Sequence, residues 1–170
     1  MRIVPRFFAT ASLAMLSVTA AGCQSSPTTM DFTLVQPSPH SDVTDLGAKG
    51  DSPGDTTEIY APLTRDGKPA GHLSGVLIIE DMANEVVGVA DREERLTLLN
   101  FSLPEGDIMV GGQAMYPAGT GFIQQADGPV VRPVIGGTKA YIGARGEVTT
   151  TRQPDQSFTQ QFHLIDVIPR

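Results

Sequence analysis

The chain has 170 residues, of which 40% are hydrophobic and 18% charged, with 18 glycines and 13 prolines, so we expect one turn-rich globular domain. The formal net charge of −7 argues against nucleic acid as a partner, because an acidic surface repels phosphate backbones. A single cysteine excludes an intrachain disulfide framework, so stability must come from packing.

The first 22 residues have the features of an export signal. Arg2 and Arg6 precede an apolar run, residues 7–21, that is too short to span a bilayer as a stable helix. The ending Ala20-Ala21-Gly22-Cys23 resembles the bacterial lipobox, in which a signal peptidase cuts before a cysteine that becomes lipidated. The alternative is plain secretory cleavage, which would leave Cys23 as a free thiol.

We therefore predict a signal peptide over residues 1–22, a lipidated tether over residues 23–30 and a single β-barrel domain over residues 31–170. The acyl chains on Cys23 would hold the protein at a membrane. The predicted location is the cell envelope, as an exported, membrane-anchored lipoprotein on a periplasmic or extracellular face.

Beyond the tether, the hydrophobic pattern has the two-residue period of strands and nowhere the period of a helix. Many short strands separated by glycine and proline turns indicate an all-β sandwich or barrel. Eight strands are predicted, over residues 31–36, 56–63, 71–81, 94–103, 107–116, 129–135, 144–153 and 157–168.

Three short turns predict antiparallel neighbours. An Asp-Gly hairpin turn lies at residues 65–68, and further tight turns lie at residues 104–107 and 153–156. Parallel crossovers would need helices that the pattern does not show. Longer connections are expected only at residues 37–55, 82–93 and 117–128, and two of these could share one end of a barrel as its rim.

The stretch from Val130 to Val148 contains the sharpest reversal of the chain. We expect Gly136 and Gly137 to supply the unusual backbone angles that end one strand and start the next.

The strand at residues 94–103 is apolar on both faces. Thr97, Leu99 and Phe101 share one face, whereas Leu96 and Leu98 share the other. In a barrel, one face fills the lumen and the other needs a cover, so a homo-oligomer is a hypothesis.

The order of these motifs resembles the allene oxide cyclase-like and dirigent-like eight-stranded barrels over most of the chain after Ser41. The most specific match is VIGGTKAYIGARGEV, residues 134–148. The other matches are GD before EIYAPL, GHLSGVLIIE, NFSLPEGDIMVGG and FHLI.

The resemblance implies an eight-stranded antiparallel β-barrel with an apolar lumen, often assembled as a trimer. Plant cyclases of this type rearrange an unstable fatty-acid epoxide, and dirigent members steer the coupling of phenoxy radicals. The first strand here lacks the cyclase glutamate, and Ser74-Gly75-Val76 stands where cyclases carry a cysteine. No catalytic residue is therefore carried over.

Other chemistries have little support in the sequence. The histidines His40, His72 and His163 are widely separated, so neither a zinc site nor any other metal site is predicted, and no cofactor is implied. The order of the aspartates in residues 42–55 is not that of a calcium loop. The alternating charges of residues 91–95 predict an exposed edge or turn.

The lumen is thus the candidate site, with a small hydrophobic molecule as the expected partner. Three functions stay open: non-catalytic ligand binding, a cyclase-like isomerase or dirigent-like guide, and a solid-cored structural module. The candidate ligand-binding residues are Asn100, Phe101, Gln113, Tyr116, Tyr141 and His163.

Overall fold

The fold is a sheet of nine antiparallel strands, seen in a computed structural model that describes residues 29–82, 92–118 and 128–165. The chain's alternation of apolar and polar residues produces these strands, and one short 3-10 turn, Lys139–Tyr141, precedes β8. The strands are β1 Thr29–Gln36, β2 His40–Thr44, β3 Thr56–Arg65, β4 Lys68–Met82, β5 Arg92–Leu103, β6 Gly106–Pro117, β7 Val130–Gly137, β8 Arg145–Arg152 and β9 Phe158–Ile165.

Eight of these strands close into a barrel. Their order around the ring is β1-β9-β8-β7-β6-β5-β4-β3, and β1 pairs with β3 at Val35 and Thr64 to complete it. The ninth strand, β2, continues this pairing along β3, with His40 opposite Tyr60. The predicted eight-stranded antiparallel barrel is confirmed, with one strand more than expected.

The extra strand was missed because its sequence, HSDVT, has no apolar alternation and is largely exposed. Pairing with β3 determines its conformation. It lies within the segment that was predicted to be a long connection. Each of the eight predicted strands overlaps an observed strand, although residues 166–168 of the last one lie outside the described residues. The same holds for most of the predicted connections at 82–93 and 117–128.

The hairpin between β3 and β4 has the predicted Asp-Gly turn. Asp66 and Gly67 both have positive φ, 51° and 73°, as a two-residue type I′ hairpin turn requires. The pairing of Arg65 with Lys68 continues to Thr64 and Pro69, and the register then shifts before Leu63 pairs with Gly71.

The barrel interior has an apolar half and a polar half. The apolar half lies at the end where β3 turns into β4, β5 into β6 and β7 into β8, and the polar half lies at the other end. In the apolar half, the ring of Phe162 stacks on Phe32 and meets Phe101 edge-on, with both centroid distances 4.9 Å. This half is therefore filled by the chain's own side chains.

The outer face of β5 is partly exposed in the part of the chain that the structure describes. Leu98 is 39% exposed, whereas Leu99 and Phe101, on the inward face of the same strand, are buried. Met109 on β6 and Ile135 on β7 are also exposed on the outside of the barrel.

The role expected for Gly136 and Gly137 is corrected by the backbone angles. Neither residue has a positive φ; in this reversal the positive values belong to Lys139, Gly143 and Gly146. Gly137 is required by space instead, because a Cβ there would lie 2.6 Å from the carbonyl oxygen of Tyr141. Gly136 has no atom within 4 Å of such a Cβ.

The two adjacent glycines therefore give a matched pair of substitutions. Gly137→Ala is expected to lower the free energy of unfolding by about 1–3 kcal/mol, because the new methyl group collides with backbone oxygens that cannot move independently. Gly136→Ala should be neutral or slightly stabilising. Urea denaturation of both variants measures the difference, and equal losses would contradict the spatial explanation.

A candidate ligand-binding site in the barrel interior

The polar half of the interior contains a group of side chains that we call the polar cluster. Its members come from three neighbouring strands, and all are buried. They are Glu93, Arg95 and Thr97 on β5, Tyr116 on β6 and Arg132 on β7.

The strand period brings these residues together. Glu93 and Arg95 continue the inward-facing series of Thr97, Leu99 and Phe101, and Glu93 lies opposite Tyr116 in the β5–β6 register. The prediction that residues 91–95 form an exposed edge or turn was wrong for these two side chains, which are both 0% exposed.

Glu93 and Arg95 form a buried ion pair. Nε of Arg95 donates to Oε1 of Glu93 at 2.5 Å, and Nη2 donates to the same oxygen. Burial raises the pKa of Glu93, and the charge of Arg95 offsets this only in part, while Asp51 adds to the rise. The second carboxylate oxygen, Oε2, has no hydrogen-bond partner among the residues that the structure describes.

Arg132 is held by hydroxyl groups. Its Nη2 donates to the hydroxyl of Tyr116 at 2.6 Å and to Oγ1 of Thr97 at 3.4 Å. Its Nε has no hydrogen-bond partner in the described part of the chain. A buried donor without a partner carries a desolvation penalty, so this nitrogen is a position where a ligand oxygen would stabilise the site.

Tyr116 lies between two guanidinium groups. That of Arg95 lies over its ring, 4.6 Å from the centroid, and that of Arg132 donates to its hydroxyl. Because the phenol oxygen accepts from Arg132, its own hydrogen is left to donate to another acceptor.

A second polar group lines the opposite wall of this half. Oγ1 of Thr150 donates to Gln160 at 2.6 Å, and Nε2 of Gln160 donates to Gln36 at 3.2 Å. Thr57 is also buried, and its hydroxyl has no hydrogen-bond partner among the residues that the structure describes. Polar groups therefore lie on two sides of this half, in contrast to the apolar half below it.

Asp55 fixes the β2–β3 connection at the same end. Its carboxylate accepts hydrogen bonds from the backbone N–H groups of Leu46 and Ser52, at 2.6 and 2.8 Å. The bond from Leu46 is the largest cause that lowers the pKa of Asp55. Backbone bonds between this segment and Ile79 of β4 hold it against the barrel.

Of the six residues predicted to bind a ligand, two face the interior. Tyr116 belongs to the polar cluster, and Phe101 lies in the aromatic packing of the apolar half. Tyr141 is buried in the 3-10 turn that closes the apolar end, where burial, followed by the charge of Glu105, raises its pKa.

The other three point outwards. Asn100 donates to the hydroxyl of Ser102, Gln113 to Glu80, and Nδ1 of His163 lies 2.6 Å from Asp31. They therefore do not line the lumen with Tyr116, as was expected. Successive side chains of a strand point to opposite faces, and each of these three residues is next to an inward-facing residue on its strand.

Sequence reasoning missed Glu93, Arg95 and Arg132. The signal for the first two was present, since the inward series of β5 extends back to them in steps of two. Arg132 likewise lies two residues before the buried Val134. What no pattern indicated is that β5, β6 and β7 place these side chains in contact.

Within the described residues, no group of three or more His, Cys, Asp or Glu side chains is arranged to hold a metal ion. No helix in the same ranges is long and apolar enough to cross a membrane.

Fold and site together define a class: a closed eight-stranded antiparallel barrel with a buried polar cluster in one half of its interior. No family model matches the chain, and the search of curated proteins gives no match. Solved structures do match it.

Three of these show the same fold. A pyocyanin demethylase is 21% identical, with a TM-score of 0.59 over 78% of this chain and 100% of that one. The exo-specific intermolecular Diels–Alderase AbnU is 19% identical, with a TM-score of 0.63 over 83% and 99%. A nonspecific heme-binding cyclase of neoabyssomicin biosynthesis, which catalyses a (4 + 2) cycloaddition, is 16% identical, with a TM-score of 0.59 over 88% and 71%.

Proposed function

We propose that this protein binds a small, mainly apolar molecule in the polar half of its barrel, with a polar group of the ligand at Arg132 and Tyr116. The observation that carries the proposal is the unpartnered Nε of Arg132 in a side chain only 3% exposed. Small-molecule sites are typically apolar cavities with a few converging polar groups. The similar solved structures include enzymes named for small-molecule chemistry, which supports the same use of the barrel.

The apolar half would limit how deeply the ligand enters. Its rings fill the barrel below the cluster, so the ligand's apolar part would lie between that packing and the polar end. Leu77 and Ile79, both buried on β4, provide apolar wall at the level of the cluster, since they pair with Thr97 and Arg95.

A second candidate is a cyclase-like isomerase or a dirigent-like guide, in the family that the motif order resembles. The arrangement of Tyr116 favours it specifically. A phenol that accepts a hydrogen bond from a guanidinium group is a stronger donor, and it could polarise a carbonyl oxygen of the substrate. The neighbouring carboxylate of Glu93, with its raised pKa, could exchange a proton with such a substrate.

The test is to incubate the purified barrel with a lipid extract of its host and to identify retained molecules by mass spectrometry. We expect wild type to retain a small molecule and Arg132→Gln to lose it. Gln113→Ala, on the outer face, is the control and should behave as wild type. If wild type retains nothing, ligand binding fails. Turnover of an offered epoxide or phenol that Tyr116→Phe abolishes would favour the second candidate.

Export and lipidation on Cys23 complete the proposal, although that cysteine lies outside the described residues. The support is the signal-like N-terminus together with the position of Thr29, which starts β1 at the apolar end. A tether leaving from there would hold the polar end away from the membrane.

A homotrimer, implied by the family resemblance, is also proposed, with Leu98, Met109 and Ile135 as exposed apolar surface available for its interface.

A further inference from the structure

The charges of the polar cluster are not paired one to one. Glu93 forms its ion pair with Arg95 through a single oxygen, Oε1. Within the described ranges, Arg132 donates hydrogen bonds to the neutral hydroxyls of Tyr116 and Thr97 and forms no ion pair with a carboxylate.

A guanidinium group in this position is costly for the protein. Buried charges are normally paired with an opposite charge, because hydroxyl groups replace only part of the lost hydration. Arginine also keeps its proton in proteins, so Arg132 cannot become neutral to avoid this cost. An apolar or smaller side chain at this position would avoid the desolvation cost of a buried charge.

An anionic oxygen group on a ligand would supply what Arg132 lacks. A carboxylate at Nε would satisfy the unpartnered donor and neutralise the guanidinium charge, and charge-assisted bonds of this kind are the stronger hydrogen bonds. The free hydrogen of the Tyr116 hydroxyl offers a second donor beside it. The rest of the ligand would lie against the buried side chains of Leu77 and Ile79, so it should be apolar.

We infer that the ligand is an apolar organic acid, whose anionic oxygen group binds to Arg132 and Tyr116 inside the barrel. This inference rests on the proposed ligand-binding function and adds the charge of the ligand to it.

The test compares two probes of nearly equal shape, 2-naphthoate and 2-naphthamide, by isothermal titration calorimetry at pH 7. The probes differ in charge at one group, so their affinity ratio reports on an anion-specific contact. We expect wild type to bind 2-naphthoate at least about tenfold more tightly than 2-naphthamide. In Arg132→Gln the ratio should fall to about one, since the guanidinium charge is gone.

Two further variants control for folding and for surface charge. Arg132→Lys keeps a positive charge but loses the planar fork, so its preference should be reduced and not abolished. Arg145→Gln removes an exposed arginine from the outside of β8 and should keep the full preference. Circular dichroism establishes that each variant is folded.

The outcomes separate the two proposals. Equal binding of both probes to wild type would overturn the inference and leave the proposed ligand site standing. Binding of neither probe would count against both. A preference for 2-naphthoate that is undiminished in Arg132→Gln, or in Arg132→Lys should the first variant not fold, would show that another residue recognises the anion.

Discussion

Replacing Arg95 by methionine is expected to lower the free energy of unfolding by about 3–5 kcal/mol at pH 8, since it leaves Glu93 as a buried carboxylate without its ion-pair partner. The substitution also removes the guanidinium group from the ring of Tyr116. Chemical denaturation of wild type and variant measures the loss. A loss below about 1 kcal/mol would mean that the carboxylate is hydrated in the native state.

The loss should depend on pH in a defined direction. Burial raises the pKa of Glu93 above its ordinary value of 4.5, so the folded protein holds this proton more tightly than the unfolded chain does. The stability that this proton contributes is fully present below pH 4.5 and is lost as the pH rises through the folded pKa. Arg95→Met removes the attraction that opposes the rise, so the deficit of the variant should be larger at pH 8 than at pH 4.5.

A double variant isolates the interaction between the two side chains. Replacing Glu93 by leucine as well as Arg95 by methionine removes both charges, and most of the lost stability should return. A double variant as unstable as Arg95→Met would show that the loss comes from packing rather than from the stranded carboxylate.

Phe162→Ala is expected to cost about 3–5 kcal/mol of unfolding free energy, because it removes the central ring of the apolar half. Phe32 and Phe101 both pack on this ring, and neither can fill its space without leaving its own strand position. Thermal and urea denaturation give the magnitude.

Phe158→Ala is the matched control on the same strand. Phe158 is only half-buried at the start of β9, so its removal should cost less. The cavity left by Phe162 would be lined by apolar groups and should bind benzene, as such cavities do. Equal losses from the two alanine variants would argue against an aromatic centre in the apolar half.

Part of the site was accessible from the sequence because strand parity is local. The two-residue period that assigned Leu99 and Phe101 to one face also applies to Glu93 and Arg95, which lie six and four residues before Leu99, respectively. The alternating charges of residues 91–95 led instead to the prediction of an exposed edge or turn, since charge runs are usually solvated. Asn100 and His163 were included as polar residues on predicted strands, without regard to the face on which each lies.

The sequence alone determined the eight barrel strands, the Asp-Gly hairpin and the antiparallel order, because alternation and turn chemistry are properties of neighbouring residues. Tertiary structure alone decided that β1 closes on β3, that β2 joins β3, and that Tyr116 meets Arg132. These contacts join residues on different strands, beyond the range of any local sequence pattern, and their geometry follows from the register and closure of the whole barrel. Gly137 shows the same division, since its need for space arises from Tyr141 and Asp107 packing against it and not from its own backbone angle.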